Sequence, residues 1–150
     1  PRAHVLLALL LASGLHAQLA NRPPAPLWLA APALEKTFTA PDHLLMAVLL
    51  VAGDSETSVL LNGTPLPVVS PSPTATSIDL TRHLKPGANT LALRSTGKVA
   101  ALLELNGDLA QKTWIATDAT WTGAGLKTLG STDADPAADP FDLKKTHDAY

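Results

Sequence analysis

Residues 77–94 read SIDLTRHLKPGANTLALR, and the order of residue types along them decides the architecture. Asp79 places a side-chain acceptor just ahead of a short turn, where it can cap free amides. Leu80 and Leu84 are four apart, so one helical turn puts both on a single face. Pro86 has no amide hydrogen and biases Lys85 away from helical angles, which ends the turn. Lys85-Pro86-Gly87-Ala88 then fits a type II reversal, with proline setting φ and glycine accepting a positive one. Beyond it, Thr90-Leu91-Ala92-Leu93-Arg94 alternates with period two. That pattern predicts a strand whose Leu91 and Leu93 face a core.

Similar patterns lie on either side. In LEKTFT, residues 34–39, Leu34 and Phe38 point one way and Glu35 and Thr37 the other. Residues 43–52, HLLMAVLLVA, fit either a strand buried on both faces or a short helix. The alternating segments around them favour the strand. Thr57, Val59 and Leu61 share one face and lead into Asn62-Gly63, a hairpin signal because a type I′ turn needs positive φ twice. A return strand is expected at 66–69, kept short or at an edge by Pro65 and Pro67. After a turn at Ser95-Thr96-Gly97-Lys98, residues 99–105 form a strand with Val99, Ala101, Leu103 and Leu105 inward and Glu104 outward. Asn106-Gly107-Asp108 reads as a second turn, and 111–121 as the last strand. Gly123, Gly125 and Gly130 then break the regularity. Short strands at regular spacing with turn signals between them predict an all-β, antiparallel β-sandwich.

The ends of the chain differ from its middle. Arg2 followed by a nearly unbroken apolar run to Leu15 matches a secretory signal helix over 1–17, too short to span a bilayer, with cleavage after Ala17. Residues 18–31 hold three prolines and read as an extended lead-in, and 32–130 as the sandwich. Residues 131–150 begin STDADPAADP, acidic, small and proline-punctuated, which reads as a linker. The expectation is that a further domain of the same chain follows. The predicted location is therefore secreted or periplasmic, with no membrane segment after cleavage.

Composition narrows the function classes. The chain has 150 residues, a formal net charge of −2 and no basic face in its sequence, which argues against nucleic acid as a partner. There is no cysteine, which excludes disulfides, thiolate metal sites and c-type haem attachment. The few histidines show no metal-binding spacing. Glycoside hydrolysis needs two carboxyl groups flanking one bond. Glu35, Glu56 and Glu104 are the only glutamates, with Glu35 and Glu104 on solvent-facing strand positions and Glu56 near a turn. No nucleophile elbow or phosphate-cradling loop occurs. The segment itself reads as non-catalytic.

Taken together, LEKTFTAP (34–41), the apolar strand ending in Gly53-Asp54, VLLNGTPL (59–66), IDLTRHLKPGANTLAL (78–93) and WIATDATW (114–121) resemble a known pattern. It is the jelly-roll of the galactose-binding-like superfamily, as in the N-terminal sugar-binding-type domain of family 2 glycoside hydrolases and of bacterial rhamnosidases. The family's aromatic residues in the first strand and hairpin are largely leucine here. The resemblance implies an accessory module that binds carbohydrate or supports a neighbouring catalytic domain. It also implies a structural calcium near a loop, for which Asp54 and Glu56 offer hard oxygen ligands, although Asp54 equally suits a plain turn. No other cofactor is expected.

Three residues stand out for carbohydrate. Trp121 with the nearby carboxylate of Asp118 suits the apolar face and hydroxyls of a sugar. Trp121 equally suits closing the base of the sandwich. Trp28 reads either as a plug over one end or as a stacking platform. A purely structural module, docked on its neighbour without a ligand, is the alternative function, and a glycoside hydrolase component is the weaker alternative.

Overall fold

The computed structural model describes residues 22–108 and 112–142. The signal helix expected at 1–17 and the cleavage site expected after Ala17 lie outside them. Ten strands follow in order: β1 (Leu27–Ala30), β2 (Ala33–Ala40), β3 (Leu44–Gly53), β4 (Ser58–Leu61), β5 (Thr64–Pro65), β6 (Thr76–Asp79), β7 (Gly87–Arg94), β8 (Val99–Gly107), β9 (Lys112–Ala116) and β10 (Lys127–Ser131). They form two antiparallel sheets. The larger runs β10-β1-β8-β3-β6, with β9 also paired to β8, and the smaller runs β2-β7-β4-β5. Among the described residues, no helix is long and apolar enough to cross a membrane.

The decisive stretch folds as its residue types dictate. Asp79 accepts a hydrogen bond from the Thr81 amide at 2.9 Å. His83 and Leu84 both donate to the Leu80 carbonyl, which closes the short turn. Gly87 then takes φ +86°, a conformation open to glycine at little cost. Asn89 is buried and ties the reversal together. Its amide nitrogen donates to the carbonyls of Lys85 and Gly87, and its oxygen accepts from the Lys85 amide and from Asn62. Asn62 in turn sits at φ 51° beside Gly63 at 80°, as a type I′ hairpin requires. The two reversals are thus joined side chain to side chain.

From there β7 runs up the middle of the smaller sheet, pairing Leu93 with Leu34 on one side and with Val59 on the other. Leu34, Phe38, Val59, Leu61, Leu91 and Leu93 face Leu29, Ala47, Leu49, Val51, Val99, Ala101, Leu103 and Leu105 of the larger sheet. Each such leucine, removed wholly from water, contributes about 2 kcal/mol before entropy is counted. The stretch at 43–52 is a strand. Its inward Ala47, Leu49 and Val51 are buried, and its outward Val48 and Leu50 are half-buried beside Pro23 and Phe141. Cover on both faces explains why its sequence does not alternate.

Several boundaries differ from expectation. Residues 27–30, read as lead-in, are strand β1, which lies between β10 and β8. The last strand is split. β9 stops at Ala116 because Thr117 turns its hydroxyl into the junction, donating to the Leu27 carbonyl at 2.7 Å and accepting from the Ala101 amide at 3.1 Å. β1 then takes over the edge of β8 that β9 vacates. The glycine-rich segment after residue 122 builds a tenth strand, β10. The return strand of the hairpin is Thr64–Pro65, with Val69 adding an isolated bridge to Thr57. Asn106-Gly107 is not a turn; both residues end β8, Asn106 paired to β9 and β3 and Gly107 to β3.

The acidic segment after residue 130 is not a free linker in its described part. Thr132 donates its amide and hydroxyl to the Pro26 carbonyl, and Pro140 accepts from the Ala75 amide. The composition that reads as linker is turn chemistry. Asp133 accepts from the Ser131 hydroxyl, Asp135 from the Ala137 amide and Asp139 from the Phe141 amide.

Candidate functional site

The turns at one end of the sandwich converge on residues 95–98, between β7 and β8. Asp54, from the turn after β3, exchanges hydrogen bonds with Lys98. Its carboxylate accepts from the Lys98 amide at 3.0 Å, and its own amide donates to the Lys98 carbonyl. The approach is so close that a Cβ on Gly97 would lie 1.9 Å from Asp54 Oδ1, so only glycine fits there. Ser95 accepts from the Gly97 amide and completes the turn.

Two clefts flank this turn. The larger, about 710 Å³, is lined by the small apolar residues Ala30, Ala31 and Pro32 together with the polar residues Glu56, Ser58, Arg94, Thr96 and Lys127. Their elements explain the gathering. β1 turns into β2 at Ala31-Pro32, β4 begins next to the end of β7, and β10 pairs Lys127 with Ala30. A lining that mixes small apolar groups with hydroxyl and charged groups matches what a sugar ring needs: carbon for its C–H faces and polar atoms for its hydroxyls. The smaller cleft, about 400 Å³, is lined by Trp28, Asp54, Lys98 and the prolines at 71, 73 and 140.

The five residues singled out in the sequence separate into two groups. Trp28, Asp54 and Glu56 come to this end. Trp28 is half-buried, and the Lys98 ammonium stands 4.5 Å from its ring centroid, a cation–π contact. Asp54 holds the turn, and Glu56 is exposed in the larger cleft. Among the described residues, no three of the types His, Cys, Asp and Glu gather to hold a metal. Asp118 and Trp121 lie elsewhere. Asp118 locks a tight turn by accepting from the amide and hydroxyl of Thr120.

The reading of Trp121 as a sugar platform is corrected. Its side chain is only 3 % exposed, belongs to the core, and donates its indole N–H to the Ala116 carbonyl at 2.9 Å. Both ring faces are spent on packing, so it closes the sandwich. The site residues absent from the sequence reading are Arg94, Lys127, Ser58 and Thr96. Arg94 was visible only as the polar end of an alternating strand. Lys127 sits in a segment whose glycines hid a strand.

No protein-family model matches the chain, and no curated protein matches it in sequence. Solved structures do resemble it. An α-L-rhamnosidase from Streptomyces avermitilis, complexed with L-rhamnose, superposes with a TM-score of 0.60 at 19% identity over 81% of this chain. A lectin from Pleurotus ostreatus in complex with GalNAc does so with 0.64 at 16% identity over 80%. An α-L-rhamnosidase from Dictyoglumus thermophilum gives 0.55 at 18% over 65%. The shared fold is an antiparallel two-sheet β-sandwich. The chain spans 14% of the first rhamnosidase, 48% of the lectin and 13% of the second rhamnosidase. At these identities the likeness is one of fold, and the function must be argued from the clefts.

Proposed function

We propose that this galactose-binding-like sandwich is a non-catalytic carbohydrate-binding module of an exported protein, with its sugar held in the larger loop-end cleft. The observation that carries the reading is the composition of that cleft: the small apolar residues Ala30, Ala31 and Pro32 line it together with the polar residues Glu56, Ser58, Thr96 and Arg94. The fold neighbours, a lectin in complex with GalNAc and a rhamnosidase complexed with L-rhamnose, support the ligand class by analogy.

The distribution of glutamates supports a binding rather than a hydrolytic role. Glu56 lines the loop-end cleft, Glu35 a shallow groove beside Thr120, and Glu104 a groove on the outer face of the larger sheet. No two of the three flank one cleft, as acid and base in a glycosidase must.

Affinity electrophoresis of the whole chain through gels carrying individual polysaccharides tests the proposal. Thr96 is exposed at the cleft mouth, so Thr96→Trp fills the cleft without touching the core. Retardation by at least one polysaccharide, lost in Thr96→Trp with the melting temperature unchanged, is the expected result. Equal retardation of both proteins places the sugar elsewhere. Absence of retardation by every polysaccharide favours the ligand-free structural module.

A further inference from the structure

We infer that the loop-end cleft recognises a carboxylate-bearing glycan, such as one built of uronate residues, through Arg94 and Lys127. This rests on the reading of the cleft as the sugar site and narrows its ligand class. Both cations line the cleft and both are exposed. The ion pair found among the described residues, Lys112 with Glu104 at 3.7 Å, lies on the outer face of the larger sheet. No described carboxylate comes within 4 Å of Arg94 or Lys127, although Glu56 lines the same cleft.

The charge balance there runs against that of the whole chain. The chain carries a formal net charge of −2. The cleft holds two cations and one carboxylate, two minus one, hence a local charge of +1. Like charges sharing a concave site repel each other, and an entering anion relieves that repulsion.

The side chains divide the work by their chemistry. Arg94 presents a planar fork that matches a carboxylate through two parallel hydrogen bonds, and Lys127 adds a point charge. Glu56 is an acceptor alone when ionised, so it suits sugar hydroxyls, and Ser58 and Thr96 supply hydroxyls that donate or accept. Ala31 and Pro32 offer carbon to the ring's C–H face. A neutral sugar needs the last three features and gives the two cations nothing to pair with. A uronate uses all of them.

The test measures binding of the full chain by isothermal titration to oligogalacturonate, to its methyl ester and to dextran sulfate. Esterification removes the charge and leaves ring and linkage intact. The free acid is expected to bind at least about tenfold more tightly than the ester, the difference a charge-assisted bidentate contact supplies. Added salt is expected to weaken binding of the acid and leave the ester unaffected. Arg94→Ala and Lys127→Ala are each expected to lose about tenfold for the acid, with unchanged melting temperatures because both side chains are exposed. Arg94→Lys, which keeps the charge and loses the fork, is expected to recover only part of that loss. Equal binding of acid and ester overturns the inference and leaves the cleft as a neutral-sugar site. Equal binding of dextran sulfate, with the same dependence on Arg94 and Lys127, overturns the preference for carboxylate. Binding of no glycan, acidic or neutral, removes the underlying assignment of the cleft.

Discussion

Asn89 shows how much one side chain can hold. It is buried, and it satisfies backbone groups of the Lys85–Gly87 reversal while accepting from Asn62 of the neighbouring hairpin. Asn89→Ala leaves these partners without their buried bonds, and a loss of about 2–3 kcal/mol is expected in urea unfolding. Trp121 belongs to the same class of residue. Trp121→Ala removes a ring of the core and its bond to Ala116, and is expected to cost about 3–5 kcal/mol in the same measurement. Asp79 adds a dependence on acid. Hydrogen bonds from the Thr81 hydroxyl and amide hold its carboxyl below the ordinary aspartate range. A lowered folded-state value means that the contribution is whole above the unfolded aspartate value and fades as the pH falls through the lowered one. Asp79→Asn is therefore expected to lose less melting temperature than the wild type between neutral and strongly acidic solution, as followed by circular dichroism.

At the level of strands, residues 79–94 were legible because each step in them rests on local chemistry: a capping aspartate, a proline stop, a glycine at positive φ, then leucines at period two, whereas β6, which takes in Thr76 to Asp79, was not foreseen. The apolar strand β3 and the Asn62-Gly63 hairpin were legible for the same reason. β1 and β10 were not. β1 has four residues in a proline-rich setting, and β10 carries Gly130 and exposed positions throughout most of its length. Each is a strand because its neighbours pair with it, and pairing across about a hundred residues leaves no local mark. The second Asn-Gly misled for the converse reason, since partners on β3 and β9 hold Asn106 extended and a partner on β3 holds Gly107. Thr117 is the hinge of this arrangement. Its hydroxyl joins β1 to β8 where β9 ends, in a position wholly buried. Thr117→Val keeps the shape but orphans both backbone partners, and is expected to cost about 1–3 kcal/mol. Faster exchange of the Ala101 amide hydrogen would report that opening directly.

For the whole molecule, the candidate site divides into a part written locally and a part assembled by the fold. Trp28, Asp54 and Glu56 could be picked out by residue type. The meeting of Glu56 with Arg94, Thr96 and Lys127 in one cleft, and of Trp28 with Asp54 in the other, needed the sandwich, because those residues come from β1, the turn after β3, the end of β7 with the turn after it, and the start of β10. A rigid two-sheet frame carrying variable turns at one end is a common way to build a binding site, and here the turns are tied tightly by Asp54 and Gly97. The account turns on where a glycan settles. Titrating the isotope-labelled chain with oligogalacturonate and following its amide resonances tests this most directly. The prediction is a contiguous set of shifts at Ala31, Glu56, Arg94 to Gly97 and Lys127, with Asp118 and Thr120 unmoved. Shifts centred on the Asp118 turn or on the outer face around Trp114, or no shifts at all, would contradict it.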